Sequence, residues 1–164
     1  MVAKMTDTNR LSNIEVDDAG LPAPTPEVDQ ERKVAIFDLI EENSFALPPE
    51  KNAPDGPYHL NLSIRDGRLV FDVQSEAAEK IAEFHLSLSP FRQVVKDYFQ
   101  ICTAYFDAVK SLPPSQIEAI DMGRRGIHDE GALVLQERLE GKVVIDKITS
   151  RRLFTLICVL HFKG

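Results

Sequence analysis

The sequence predicts an α+β fold: an antiparallel three- to four-stranded sheet with helices packed on one face. Three observations carry this. Tyr58–Gln74 alternates apolar and polar residues on both sides of Asp66-Gly67. That dipeptide is a strong two-residue hairpin signal, because a type I′ turn needs positive φ at both positions. The alternation returns over Ile81–Leu88, and each of these strands is apolar on one side only, so something must cover that side. Three stretches of helical periodicity then follow, which gives the order strand, helix, three strands, three helices.

A chain of 164 residues with 43% hydrophobic and 27% charged residues is sized for one domain with a real core. Residues 1–9 are polar and read as a disordered tail ahead of a single domain over 10–164. Arg10–Asp17 reads as a short strand with Ile14 and Val16 on one face. Ala19–Pro26 carries three prolines in eight residues and is a linker, since proline is excluded from helix interiors and central strands. Glu27–Asn43 is a helix with an acidic first turn, suited to the positive end of the helix dipole. Ile36, Leu39 and Ile40 form its buried stripe, with Phe37 at the flank. Ser44–Pro57, with four prolines, is a long loop.

The hairpin register is predicted in full. Arg65 pairs with Arg68, Ile64 with Leu69, Leu62 with Phe71 and Leu60 with Val73, so apolar residues meet on one face. The other face carries His59, Asn61, Ser63, Asp72 and Gln74. The third strand puts Phe84, Leu86 and Leu88 opposite His85 and Ser87. Ser89-Pro90 then reads as N-cap and first residue of a helix to about Ser111. Its apolar positions, widened by Phe99, Ile101 and Phe106, span roughly 160° of the helical wheel against ~100° for an ordinary surface helix. The expectation is packing on the sheet and on a neighbouring helix. Pro113-Pro114 break the chain, and Ser115 is placed to cap a helix ending near Gly141. Val143–Asp146 is a short strand or a turn. Thr149 is placed to cap a final buried helix to about His161.

Composition and motifs weigh against several function classes. A formal net charge of −7 disfavours nucleic acid, whose recognition needs a basic face. The N-terminus shows no apolar signal segment, and Leu153–Phe162, the most apolar stretch, is far shorter than the ~20 residues of a membrane span. Cys102 and Cys158 lie in apolar surroundings without a CxxC pair, so reduced thiols in a cytoplasmic protein are expected. The sequence has no GxSxG, P-loop or GxGxxG motif, and no cofactor is predicted.

The densest run of chemical side chains is Ser115–Glu140, which also holds Gly123, Gly126 and Gly131. Three glycines inside a helix, at about 1 kcal/mol each, point to close packing or a site. If the helix is continuous, Glu118, Asp121, Arg125 and His128 fall within roughly 80° of one another. Arg124 and Arg138 intrude on the adjacent apolar face of Ile117, Ile120, Gly123, Ile127, Gly131 and Val134. An arginine in an apolar seam needs a carboxylate or a ligand. Such a stripe can hold an anion or assist proton transfer. It is also what i,i+4 ion pairing on a solvated helix face looks like. The spacing of Glu118, Asp121 and His128 matches no metal motif, and no metal is predicted. A second candidate is Thr149-Ser150-Arg151-Arg152, where a helix N-terminus and two arginines suit a phosphate or carboxylate. The plainer reading is a capped helix.

Taken together, VAIFDLIEENSF, GPYHLNLSIRDGRLVFDV, LSPFRQVVKDYFQIC, PSQIEAIDMGRRGIHDEGALVLQERLEGK and RRLFTLICVLH resemble an alphaproteobacterial group, uncharacterised protein family (UPF) 0262. The resemblance covers about Arg10 to His161. It implies a small cytoplasmic bacterial protein, and it transfers no catalytic residue.

Two functional readings follow. One is a non-catalytic binding or regulatory module acting through protein contacts, self-associating as a homo-oligomer with Leu153–Phe162 in the seam. The other is a small enzyme or sensor for an anionic, phosphorylated or carboxylate, metabolite. Arg124, Arg125, Arg151 and Arg152 would grip it and Asp121, Glu118 or His128 would move protons. The second reading requires the two arginine pairs to converge on one cleft. Neither reading involves nucleic acid or a membrane.

Overall fold

The structure, a computed structural model, describes residues 8–21 and 23–161, with the backbone alone at His161. Most of the expected N-terminal tail, Pro22 of the linker, and the His161 side chain thus lie outside the described residues. The elements are β1 (Leu11–Val16), α1 (Pro26–Glu41), β2 (Phe45–Ala46), β3 (Tyr58–Arg65), β4 (Arg68–Ser75), β5 (Lys80–Ser87), α2 (Ser89–Ser111), α3 (Pro114–Arg138), β6 (Val144–Ile145) and α4 (Lys147–His161).

β1, β3, β4 and β5 form one sheet in that order. The β3–β4 register is the one the sequence predicts, residue for residue from Arg65–Arg68 to Leu60–Val73. Asp66 and Gly67 both have positive φ, 54° and 72°, as a type I′ turn requires. β5 continues the antiparallel ladder, with Phe84 opposite Phe71 and Leu86 opposite Leu69. β1 departs from the antiparallel pattern: it joins the edge parallel to β3, with Ile14 beside Leu60 and Val16 beside Leu62. The sheet is therefore mixed. The cause is connectivity, because α1 carries the chain back before β3 begins, and a crossover returns a strand in parallel.

The fold is α+β, with the helices on the apolar face of the sheet. α4 is the helix at the centre. Leu153, Phe154, Leu156 and Ile157 are fully buried, and α4 packs on α1, α3 and β3. The sequence pointed to α2 as the cover, but α2 packs chiefly on α3. Its residues Phe91, Val94, Val95 and Tyr98 still enter the common core. β2 and β6, two residues each, pair antiparallel through Phe45–Ile145. They tie the proline-rich loop to the start of α4.

That tie explains a displaced cap. Asp146, not Thr149, precedes α4: its Oδ1 accepts from the Thr149 amide at 2.8 Å and its carbonyl from the Ser150 amide. The Thr149 hydroxyl accepts instead from the Ser44 amide at 2.8 Å. α1 starts at Thr25, whose Oγ1 accepts from the Val28 amide at 3.2 Å. Leu88 already has helical angles, which puts Ser89 inside α2 and not at its cap. α3 begins at Pro114 with no side-chain cap, so Ser115 caps nothing. In α1 the buried positions are Val28, Ala35 and Leu39, Ile36 and Ile40 are half-buried against the core, and Phe37 is exposed.

Candidate functional site

α3 is one continuous helix of 25 residues, so its glycines do not break it. It runs antiparallel to α4. His128 meets Thr155, Ala132 meets Ser150, and Gln136 meets Ile145, with one partner number falling as the other rises. The helices approach closely at Gly131, where a Cβ would stand 2.2 Å from Cζ of Phe154. Gly123 serves a similar contact with Ile101 of α2.

This packing brings both arginine pairs to one place. Arg124 and Arg125 from α3 and Arg151 and Arg152 from α4 line a single cleft of about 620 Å³, together with Glu31 of α1 and Tyr98 of α2. That volume lies within the ~300–1,000 Å³ usual for small-molecule sites. Val34, Ala35 and Ile148 supply apolar wall.

The four guanidiniums are held differently. Arg124 donates through Nε and Nη2 to Asp121 Oδ1, at 3.1 and 2.6 Å, and lies 4.7 Å from the centre of the Tyr105 ring. This is the carboxylate-plus-aromatic seat that an arginine in an apolar seam needs. Arg125 donates to the other oxygen, Oδ2, of the same Asp121. One carboxylate thus serves two cations and leaves net positive charge. Both arginines hold the Asp121 carboxyl below its ordinary range. Arg151 Nε stands 3.2 Å from Asp129 Oδ1, but the contact lacks hydrogen-bond geometry, and among the described residues that oxygen has no hydrogen-bond partner. Arg151 is a cation in loose register with its acid. Arg152 is committed elsewhere: Nη1 donates to the carbonyls of Asp38 and Glu42 at 2.9 and 2.7 Å. It caps the C-terminus of α1, whose last turn has no basic residue of its own.

The floor is aromatic. His128 lies 5.2 Å from Tyr98 and 5.4 Å from Phe154, centre to centre. Its Nε2 is 2.7 Å from Thr155 Oγ1. Burial, reinforced by Arg151 and more weakly by Arg124 and opposed by Asp129, pushes the imidazole down to about 4. It is neutral at pH 7. The Tyr98 hydroxyl donates to Glu31 Oε1 at 3.0 Å. Burial raises the Glu31 carboxyl, opposed by that hydrogen bond and by Arg124.

Of the residues singled out from sequence, Arg124, Arg125, His128, Arg151 and Arg152 meet in the cleft, and Asp121 stands behind as their clamp. Glu118 does not: it is exposed on α3 and outside the cleft. Arg138 is also exposed, although Leu135 and Leu139 on either side of it are fully buried. The helix N-terminus read at Thr149–Arg152 is not an open anion site, since Asp146 occupies its first amides. Glu31, Tyr98 and Thr155 were not legible beforehand. Tyr98 sits in an apolar stripe and Glu31 in a charged helix, and only tertiary packing turns them inward. Among the described residues no group of three His, Cys, Asp or Glu side chains could hold a metal ion, and no helix is long and apolar enough to cross a membrane.

A model of an uncharacterised protein family, UPF0262, matches residues 8–163. This chain belongs to that family. UPF0262 proteins similar to it include one from Ruegeria sp. strain TM1040, 73% identical over 95% of this chain and 99% of the relative. Another, from Jannaschia sp. strain CCS1, is 72% identical over 93% and 97%. A third, from Dinoroseobacter shibae, is 67% identical over 94% and 98%. No solved structure matches this chain. The relatives' names state the family and no activity, so the chemistry of this UPF0262 member is read from its cleft. Guanidiniums above an aromatic floor, with a neutral histidine and a hydroxyl between them, offer donors to an anion.

Proposed function

We propose that this protein is a non-catalytic binding module for a small anionic metabolite, a carboxylate or a phosphate ester, seated between α1, α3 and α4. The observation that carries the reading is the convergence of Arg124, Arg125 and Arg151 on one cleft, with Asp121 shared between two of them. Arginine forks suit carboxylate and phosphate geometry. Binding is favoured over catalysis because the histidine of the cleft is a poor proton carrier near pH 7. His128 is pushed down to about 4, far from the operating pH that general acid–base work favours, and Glu31 is already engaged by Tyr98. Two buried free thiols support a reducing, cytoplasmic setting. Of Leu153–Phe162, the stretch that the sequence offers as a seam, the apolar residues from Leu153 to Leu160 are buried in the chain's own core, so their apolarity lends self-association no separate support.

The test is isothermal titration of the full chain with inorganic phosphate, malate and glucose 6-phosphate. Saturable one-to-one binding is expected for at least one, weakened tenfold or more, about 1.4 kcal/mol, in Arg151→Ala and Arg125→Ala. Both side chains are exposed enough (41% and 64%) for the variants to fold. Binding to none of the three, or binding indifferent to both substitutions, overturns the reading.

A further inference from the structure

The four-stranded sheet has two edges, and they end differently. At β1 the Leu11 amide donates to Asn43 Oδ1 at 2.7 Å, and the Leu11 carbonyl accepts from Asn43 Nδ2 at 3.0 Å. A side chain thus closes that edge at its start. β5 is the other edge and pairs with β4 alone. The turn decides which of its backbone groups are used. A two-residue hairpin closes on a hydrogen-bonded pair, here Arg65–Arg68, and such pairs alternate along the ladder. The backbone groups of Arg68, Val70 and Asp72 therefore face β3, and those of Leu69, Phe71 and Val73 face β5. Their partners Leu86, Phe84 and Ala82 are satisfied, so the amides and carbonyls of Glu83 and His85 point away from the sheet. Among the described residues no hydrogen bond reaches those four groups.

Proteins blunt an open edge with proline, lysine or a bulge. The register shift of β5 lies at its start, opposite Val73 and Gln74, and from Ala82 to Ser87 the strand is regular, with neither proline nor lysine. This stretch is complementary to itself. Laid antiparallel on a second copy about Phe84, it sets Glu83 of each copy opposite His85 of the other. Opposite charges across strands attract, whereas centring the pair on Glu83 sets carboxylate against carboxylate. The backbone agrees, because Glu83 and His85 carry the free groups and become the two hydrogen-bonded pairs, while Phe84 meets Phe84 between them. Within one copy Glu83 already contacts His85 at 2.6 Å and Arg65 at 3.4 Å. On the core face Ala82 falls opposite Leu86, which continues the row of Phe84 and Leu86, 9% and 5% exposed. A slip by one residue would turn that row to the polar face. Lys51 stands over the Phe84 ring at 5.7 Å, against the side chain and not the backbone.

We propose that the β5 edge pairs with the β5 edge of a second copy of this chain, antiparallel about Phe84, so that two four-stranded sheets become one across a two-fold axis. Main-chain hydrogen bonds hold the pair and the Glu83–His85 contacts set its register. No β5 residue lines the arginine cleft, so this contact is independent of anion binding.

The test is sedimentation equilibrium of the full chain over a range of concentrations. A monomer–dimer equilibrium is expected. One short strand pair buries less than a standard interface of ~1,600 Å², so the Kd is expected in the micromolar range. His85→Pro removes an outward N–H and no ladder bond to β4, a position where an edge strand accepts proline. It is expected to weaken the dimer at least tenfold. Cysteines read the register. Glu83 of one copy and His85 of the other would have Cα atoms about 5.5 Å apart, within disulfide reach. An oxidised mixture of Glu83→Cys and His85→Cys is expected to give the mixed disulfide on a non-reducing gel, and either variant alone to stay uncrosslinked. The native cysteines are buried and do not compete. Far-UV circular dichroism checks each variant's fold, and the cysteine mixture decides if His85→Pro does not fold. A monomer at every concentration, a dimer indifferent to a folded His85→Pro, or cross-linking of either cysteine variant alone as strong as that of the mixture overturns the proposal.

Discussion

Gly131 lies directly beneath the ring of Phe154, with room for a hydrogen and none for a methyl group. A Cβ at position 131 would stand 2.2 to 2.5 Å from three atoms of that fully buried ring. The ring cannot retreat, since it also packs on Tyr98 and His128. Gly131→Ala is therefore expected to destabilise the protein by about 1–3 kcal/mol through overpacking, even after the gain of about 1 kcal/mol in helix propensity. Gly126 is the internal control, because nothing lies within 4 Å of its added Cβ. Gly126→Ala is expected to stabilise by about 0.5–1 kcal/mol. Urea unfolding of the two variants measures both, and a shift of the same sign in both would refute the packing account.

Arg151 and Arg152 are neighbours in sequence with separate tasks. Arg152 caps α1 through two carbonyls, while Arg151 has only a loose contact with Asp129. Arg152→Ala is expected to cost about 1–2 kcal/mol of stability and to leave anion affinity within about threefold. Arg151→Ala is expected to do the reverse. Thermal melting and titration on the same two samples give the answer, and equal effects on both readouts would mean that the division of labour is wrong.

What could be read beforehand follows from the range of the interactions. The β3–β4 register was legible because a two-residue turn and a period of two fix it locally. The parallel pairing of β1 with β3 was not, because it depends on where α1 delivers the chain. Arg124 was legible as an arginine among apolar residues, and Asp121 as its partner through helical spacing. Arg138 gave the same signal and proved exposed beside a fully buried Leu139, since helical spacing alone does not say which side of the helix its neighbours cover. The meeting of Arg124 with Arg151 needed the antiparallel packing of α3 on α4. Glu31 and Tyr98 carried no local mark. Three caps read at serine or threonine moved by one to three residues, because the β2–β6 pair and the prolines decide where each helix begins.

Cys102 and Cys158 are buried free thiols. Burial and the nearby Glu31 push Cys102 up to about 11, and burial raises Cys158 well above the ordinary range. Thiolate is the reactive form, so at pH 8 the native protein is expected to leave both thiols unmodified by an aromatic disulfide reagent. Both should react in urea, at a rate that follows unfolding. Rapid labelling of either thiol in the native protein would contradict the burial of Cys102 and Cys158 in the common core.

His128 makes stability depend on pH in a direction that can be worked out. Its ordinary value is near 6.5 and its folded value is about 4. Between these the unfolded chain holds a proton that the folded chain refuses, so folding is weakened as pH falls from about 6.5 towards 4. The full effect is about 3 kcal/mol. Glu31 opposes it, because its raised carboxyl takes up a proton more readily when folded. Asp121, held low by Arg124 and Arg125, loses its contribution only at lower pH. The His128 effect is isolated by His128→Gln, which keeps a polar group beside Thr155 Oγ1 and cannot take up the proton. Urea unfolding at pH 7.5, 6 and 5 is expected to show wild type losing stability to the variant at each step down. Parallel curves would place the His128 imidazole in water and not against Tyr98 and Phe154. In that case the floor of the cleft would be open, and the preference for binding over proton transfer would lose its physical basis.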